Sequence, residues 1–284
     1  MKTGVTGATG QLGGLVVEKL KEKGLGSNVV ALVRNTGKAT GLGVEAREFD
    51  YNNPAKLVEA LQGIENLILI SGNELGKRAE QHANVIEAAK KAGVKWIIYT
   101  SLLRANNSSL SLAPEHYATE KALQDSGLDY TILRNGWYTE NYTGSVGGAV
   151  AAGAFIGSAG EGKISSAARA DFADAAVAVV TGEGHQNKIY ELAGDESYTL
   201  AELAAEISKQ TGKAIPYNNL PESDYANILK SFGLPELFAE AIASWDTGAS
   251  KGDLFDNAHQ LSKLIGKPTT PLAETVKAAL VATK

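Results

Sequence analysis

Gly7, Gly10 and Gly13, in the run Thr6-Gly-Ala-Thr-Gly-Gln-Leu-Gly13, have the types and spacing of a pyrophosphate-binding turn. The first lets the chain turn sharply off a strand, the second lets backbone N–H groups approach a phosphate, and the third lets the following helix pack close to its sheet. That helix aims its positive N-terminal end at the bound anion. Arg34 stands 21 positions after Gly13, at the end of Ala31-Leu-Val-Arg-Asn35. An acidic residue there would accept from the ribose 2′-OH of NAD, whereas arginine offers a planar donor fork to the 2′-phosphate of NADP. Lys38 can add a second positive charge. The chemistry these residues support is NADPH-dependent hydride transfer.

Such a site needs a strand, a glycine turn and a helix, and the flanking pattern supplies them. Leu12, Val16 and Leu20, flanked by Leu15, recur at helical spacing from Gln11 to Lys23, and Gly24 provides a C-terminal stop. Short apolar runs at Val29–Val33, Val44–Phe49, Leu67–Ile70, Trp96–Thr100 and Tyr130–Leu133 predict buried strands. Helical patterns at Pro54–Leu61, Arg78–Ala92 and Glu115–Asp125 separate the later ones. The expected fold is α/β, a Rossmann-type doubly wound parallel sheet. Asn35–Gly43 is too glycine-rich to predict a helix, and Gly4 takes a place in the first strand where an apolar side chain would serve the core better.

Ligands collect at the carboxyl ends of parallel strands, which places Asp50-Tyr51 near the adenine and Ser71-Gly72-Asn73 beside the nicotinamide-side ribose. Asn135-Gly136-Trp137-Tyr138 follows the sixth strand. Its indole and phenol can flank a flat ring, and its amide can orient one.

Past Trp137 helices dominate, at Asp171–Thr181, Leu200–Gln210, Asp224–Phe232, Glu236–Ser244 and Leu272–Ala279, with brief strands at Lys188–Leu192 and Ala214–Asn218. We therefore expect a nucleotide-binding domain over residues 1–136. Residues 137–284 would form a smaller mixed α/β lobe covering the substrate, with the chain crossing between the two. Thr143–Gly162 is uncharged until Glu161, but it is rich in glycine and poor in bulky apolar residues, which suits a close-packed helix and loop rather than a membrane span.

The 284 residues, 44% of them hydrophobic, suffice for a large core. A net charge of −5 with no Lys/Arg cluster argues against nucleic acid as a partner. The absence of cysteine excludes disulfides, thiolate metal sites and a cysteine nucleophile, and suits a cytoplasmic protein. The first strand begins at the start of the chain, where no signal peptide fits. His82, His116, His185 and His259 are scattered, so no metal site is expected.

Together with the glycine turn and Ala31–Asn35, the runs Gln81-His-Ala-Asn-Val85, Tyr99-Thr-Ser-Leu-Leu103 and Leu133-Arg-Asn-Gly-Trp-Tyr-Thr-Glu-Asn141 resemble the NmrA-like atypical short-chain dehydrogenases. The likeness extends through Ser166–Asp171, Gly248–Gly252 and Lys263–Pro268, essentially the whole chain. Within the family it is nearest to the bacterial quinone reductases, with the triphenylmethane-dye reductases next. The resemblance implies a flavin-free, NADPH-dependent enzyme that passes hydride directly to a small-molecule quinone. It also implies a pyrophosphate on Gly7, Ala8, Thr9, Gly10, Gln11 and Leu12, and a 2′-phosphate on Arg34. Asn135, Gly136, Trp137, Tyr138, Glu140, Asn141 and Arg169 would approach the nicotinamide half.

Other members of the wider superfamily use a Tyr-x-x-x-Lys pair and an upstream serine, the lysine lowering the phenol pKa so that tyrosine transfers the proton accompanying hydride. Tyr117-Ala-Thr-Glu-Lys121 fits that spacing after Ser101, so Tyr117 and Lys121 are the candidate catalytic residues. A quinone is already strongly electrophilic, which favours Lys121 as a ribose-binding group over Tyr117 as an acid. Reduction of another aromatic acceptor such as a triphenylmethane dye, and a non-catalytic NADP(H)-binding redox sensor, stay open as alternatives. A homodimer is one expectation for its assembly.

Overall fold

The computed structural model describes residues 1–282. Along the chain the elements are β1 (Thr3–Thr6), α1 (Gln11–Glu22), β2 (Val29–Val33), β3 (Glu45–Glu48), α2 (Pro54–Ala60), β4 (Asn66–Leu69), α3 (Arg78–Ala92), β5 (Trp96–Leu102), α4 (Ala113–Asp125) and β6 (Asp129–Asn135). They continue with α5 (Glu140–Thr143), α6 (Val146–Ala152), β7 (Phe155–Gly157), α7 (Arg169–Thr181), β8 (Lys188–Leu192), α8 (Leu200–Thr211), β9 (Tyr217–Asn219), α9 (Glu222–Ser231), α10 (Glu236–Ser250), α11 (Gln260–Ile265) and α12 (Leu272–Ala282).

Two compact units result. The first comprises Met1–Asn106, Leu112–Asn135 and Arg169–Leu192. Its seven-stranded sheet runs β3-β2-β1-β4-β5-β6-β8, parallel throughout. Strands buried on both faces read as continuous apolar runs, which is why β2, β4 and β5 are recognisable from sequence. On one face Val30, Leu32, Leu67, Leu69, Ile97 and Tyr99 meet Leu57, Val85, Ile86, Ala89 and Leu123 from α2, α3 and α4. The other face carries α1, whose Lys19 pairs with Asp174 of α7 at 2.6 Å.

Gly4 departs from its sequence expectation. A Cβ there would lie 3.0 Å from Leu32 Cδ1, 3.2 Å from Ile64 Cγ2 and 3.3 Å from Leu67 Cδ1. The missing side chain is the space those three fill, so the glycine serves the core. The stretch after β2, Thr36–Leu42, is a 3₁₀ helix begun by Asn35, whose side chain accepts the Gly37 N–H. The domain expectation also needs a change. α7 and β8, read from sequence with the second lobe, belong to the first unit, where β8 pairs with β6.

The second unit comprises Asn107–Ser111, Gly136–Ala168 and Ala193–Lys284. β7 and β9 form a two-stranded parallel sheet, and α8 opens with a reciprocal capping box between Thr199 and Glu202. Asp246 of α10 ties three elements together: it accepts the Tyr142 hydroxyl of α5 at 3.1 Å and the Ser158 N–H after β7 at 3.0 Å. Burial pushes its carboxyl up to about 6. The glycine-rich stretch forms α6 and β7, and Gly162 packs where a Cβ would stand 2.3 Å from the Ala249 carbonyl oxygen. Among the described residues no helix is long and apolar enough to cross a membrane.

Candidate cofactor site

A cavity of about 510 Å³ opens at the carboxyl ends of β1 to β4, where strand order reverses about β1. Gly7, Thr9, Gly10, Gln11 and Leu12 line one side. Gly7 takes φ +57°, a left-handed turn that favours glycine, and its carbonyl accepts the Gly10 N–H at 2.8 Å. At Gly13 a Cβ would stand 2.2 Å from that carbonyl oxygen, so only glycine lets α1 begin this close to the turn. Ala8 is fully buried beneath the turn and does not line the cavity.

No side chain caps the N-terminus of α1 and no acidic residue lies in its first turn. Helical N–H groups left without intrahelical partners, at the positive end of the dipole, suit a phosphate. The residues present therefore fit a dinucleotide pyrophosphate.

The facing wall is built from the ends of β3 and β4. The buried Tyr51 phenol lies 2.6 Å from Thr6 Oγ1 and 2.9 Å from the Ile70 carbonyl oxygen, and the Ile70 N–H donates to Thr6 Oγ1 at 2.9 Å. Burial raises the pKa of that phenol, which stays protonated as a donor. Ser71, Gly72 and Asn73 follow on the cavity wall. Gly72 is fixed at both ends of its peptide geometry: its N–H donates to His82 Nε2 at 3.0 Å and its carbonyl accepts from Arg78 Nε at 2.8 Å. Because Nε2 accepts, Nδ1 carries the proton and donates to Thr119 Oγ1 at 3.0 Å. Burial, with the Arg78 charge adding, holds His82 down at about 3, so the ring is neutral.

Arg34 and Lys38 also line the cavity. The Arg34 side chain is 69% exposed, with Nη1 3.6 Å from Glu74 Oε1. It is therefore accessible to an anion.

Ser101, Tyr117 and Lys121 are not joined into one hydrogen-bonded set. The Ser101 hydroxyl donates to Glu120 Oε1 at 2.6 Å. The same carboxylate is gripped by Arg134 through Nε at 2.9 Å and Nη2 at 2.7 Å, and Arg134 Nη1 also reaches Glu191 at 2.7 Å. Burial opposes the guanidinium charge, but the bonds to Glu120 and Glu191 outweigh it and raise the pKa. On α4 the inward positions are His116, Thr119, Glu120 and Leu123. Tyr117 is 39% exposed, and Lys121 is also exposed, its Nζ 3.4 Å from Gln124 Oε1.

The remaining expected residues divide between the units. Asn135 closes β6 in the first, its side-chain amide buried with no hydrogen-bond partner among the described residues, and Arg169 opens α7 there. Gly136, Trp137, Tyr138, Glu140 and Asn141 belong to the second. Trp137 is buried edge-to-face against Trp245, ring centroids 5.6 Å apart, and the Asn141 N–H donates to the Tyr138 carbonyl at 3.0 Å. Among the described residues no cluster of three or more His, Asp or Glu side chains could hold a metal ion.

Sequence reasoning missed Arg78 and His82 as supports of the Gly72 loop. The signal was there: four residues apart on α3, they share its face with buried Val85, Ile86 and Ala89, where two polar side chains need partners.

Residues 7–183 match the NAD(P)H-binding family. Quinone oxidoreductase 2 of Escherichia coli strain K12 is 57% identical over 275 residues, covering 96% of each chain. The crystal structure of an E. coli NADPH-dependent quinone oxidoreductase complexed with NADPH superposes with a TM-score of 0.95 at 56% identity, covering 98% of this chain and 99% of that one. Citrobacter sp. triphenylmethane reductase complexed with NADP(H) gives 0.94 at 42% identity, covering 98% and 100%.

Proposed function

We propose, since this chain belongs to the NAD(P)H-binding family in its NmrA-like form, that it is an NADPH-dependent quinone reductase converting a quinone to the hydroquinone by direct, flavin-free hydride transfer. The observation that carries the reading is Arg34, accessible on the wall of the cavity that also receives the uncapped N-terminus of α1.

Bound NADPH supplies the hydride. The turn from Gly7 to Leu12 would hold its pyrophosphate, chiefly through the N–H groups of Gln11 and Leu12 that the uncapped start of α1 leaves open, and Arg34, with Lys38, would hold its 2′-phosphate. Tyr51 braces the end of β4 through the Ile70 carbonyl, and Arg78 and His82 fix Gly72, so Ser71, Gly72 and Asn73 form a rigid rim. Asn135, Gly136, Trp137, Tyr138, Glu140, Asn141 and Arg169 are assigned to the nicotinamide half. Trp137 and Tyr138 provide aromatic surface for a flat ring and Asn135 a donor and an acceptor. Lys121 is assigned to the nicotinamide ribose. The proton that balances hydride addition comes from solvent, with Tyr117 secondary, because a quinone needs positioning more than acid assistance.

The test is NADPH oxidation by purified protein against a panel of benzoquinones, naphthoquinones and a cationic triphenylmethane dye. Quinone-dependent turnover with sequential kinetics and no bound flavin is expected. Tight NADPH binding without oxidation by any acceptor would leave the sensor reading. Turnover confined to the dye would move the chain to the dye reductases.

A further inference from the structure

Arg34 and Glu74 follow β2 and β4, the two strands that flank β1, so their ion pair spans the sheet above the glycine turn. Neighbouring strands lie about 4.8 Å apart, so the two chain segments are separated by roughly 10 Å at sheet level and their side chains close that gap. Both residues line the same cavity.

Glu74 sits on a segment held from both sides. Gly72 is fixed by His82 and Arg78, while beyond Glu74 the N–H groups of Gly76 and Arg78 donate to the Glu115 carboxylate at 3.2 and 2.9 Å. The Lys77 N–H also donates back to the Glu74 carbonyl at 3.2 Å, closing a tight turn. Glu74 is thus presented to Arg34 by a braced loop. Its second oxygen, Oε2, lies 3.6 Å from Lys77 Nζ, which gives the carboxylate a second cation.

We propose that Glu74 stands in for the 2′-phosphate on Arg34 and sets how strongly the protein prefers the phosphorylated cofactor. The proposal rests on the reading of Arg34 as the 2′-phosphate ligand. A phosphorylated cofactor must take the guanidinium from Glu74, leave that carboxylate on Lys77, and bear its repulsion at close range. A cofactor without the phosphate leaves the Arg34–Glu74 pair intact. Glu74 therefore weakens binding of one cofactor and not the other, and its removal sharpens discrimination. Both side chains meet solvent, which limits the effect to roughly two- to five-fold.

The experiment is calorimetric titration with 2′,5′-ADP and with 5′-AMP, for the full chain and the variants Glu74→Gln and Arg34→Ala. The expected result is that Glu74→Gln tightens 2′,5′-ADP by roughly two- to five-fold, shifts 5′-AMP by less, and loses its advantage at high salt. If Arg34→Ala weakens 2′,5′-ADP selectively while Glu74→Gln leaves it unchanged or weakens it, the Glu74 proposal is overturned and the Arg34 reading stands. If Arg34→Ala affects both nucleotides equally, the two fall together.

Discussion

His82 Nε2 accepts the backbone N–H of Gly72 at 3.0 Å, so a buried, neutral imidazole on α3 holds the cavity wall that follows β4. The bond requires the unprotonated ring nitrogen. In an unfolded chain histidine titrates near about 6.5. Between that value and the folded value of about 3 only the unfolded chain takes up the proton, so the stabilisation is complete above the upper limit and is lost as pH falls toward the lower one. His116, paired with the Tyr99 hydroxyl at 2.8 Å and also shifted well down by burial, adds in the same sense. Denaturant melts from pH 8 to pH 4 should show stability falling below about 6.5, and His82→Gln should reduce the slope by up to about 1.4 kcal/mol per pH unit. Equal slopes in both proteins would refute the assignment.

Arg34→Ala should weaken NADPH far more than NADH. A charge-assisted contact of about 1.5–3 kcal/mol corresponds to roughly ten- to a hundred-fold in affinity. Fluorescence titration of both cofactors checks this, and equal losses would contradict it.

Tyr117→Phe should lower kcat by less than roughly ten-fold, because the phenol lies on the exposed side of α4 and Ser101 is committed to Glu120. A true general acid would cost about 10²–10⁴-fold. Lys121→Ala should do more damage, seen chiefly as weaker cofactor binding. The measurement is kcat for both variants at saturating NADPH with one quinone; a thousand-fold fall confined to Tyr117→Phe would make the phenol the proton donor.

Asp246 reverses the sign seen at His82. Its folded pKa is raised to about 6 from 3.8, so the folded protein keeps a proton that the unfolded chain releases, and stability declines as pH rises between these values. In Asp246→Asn the amide oxygen can accept the Ser158 N–H while the NH₂ donates to the Tyr142 oxygen. The variant should gain about 1–3 kcal/mol above pH 6 and nothing near pH 4. Thermal melts at both pH values decide it, and destabilisation of equal size at both would show that geometry, not charge, dominates.

The glycine turn and the strand runs were legible because each is local: Gly7, Gly10 and Gly13 lie within seven residues, and Val29–Val33 is apolar throughout. The place of Arg34 just past β2, on the cavity wall, was legible for the same reason, by its count from the turn. The Gly4 pocket was not, since it depends on Leu32, Ile64 and Leu67 arriving from other segments. Nor was the capture of Ser101, because a serine and a Tyr-x-x-x-Lys spacing give no hint that Glu120, held by Arg134, will accept the hydroxyl. β8 looked like part of the second lobe because its pairing with β6 follows a long excursion of the chain.

That excursion also governs how the protein can be made. The last strand of the first unit is translated only after Gly136–Ala168 has emerged, so a fragment ending at the sequence-expected boundary would leave β6 as an open, seven-residue edge and α1 without its Asp174 counter-ion. Unpaired strand edges of that kind invite chain-to-chain pairing. The nucleotide-binding unit is therefore no excisable module. A nascent chain stalled before Leu192 lacks its outermost strand over β6, and the sheet reaches its full seven strands only once ribosomal elongation has passed through part of the other unit.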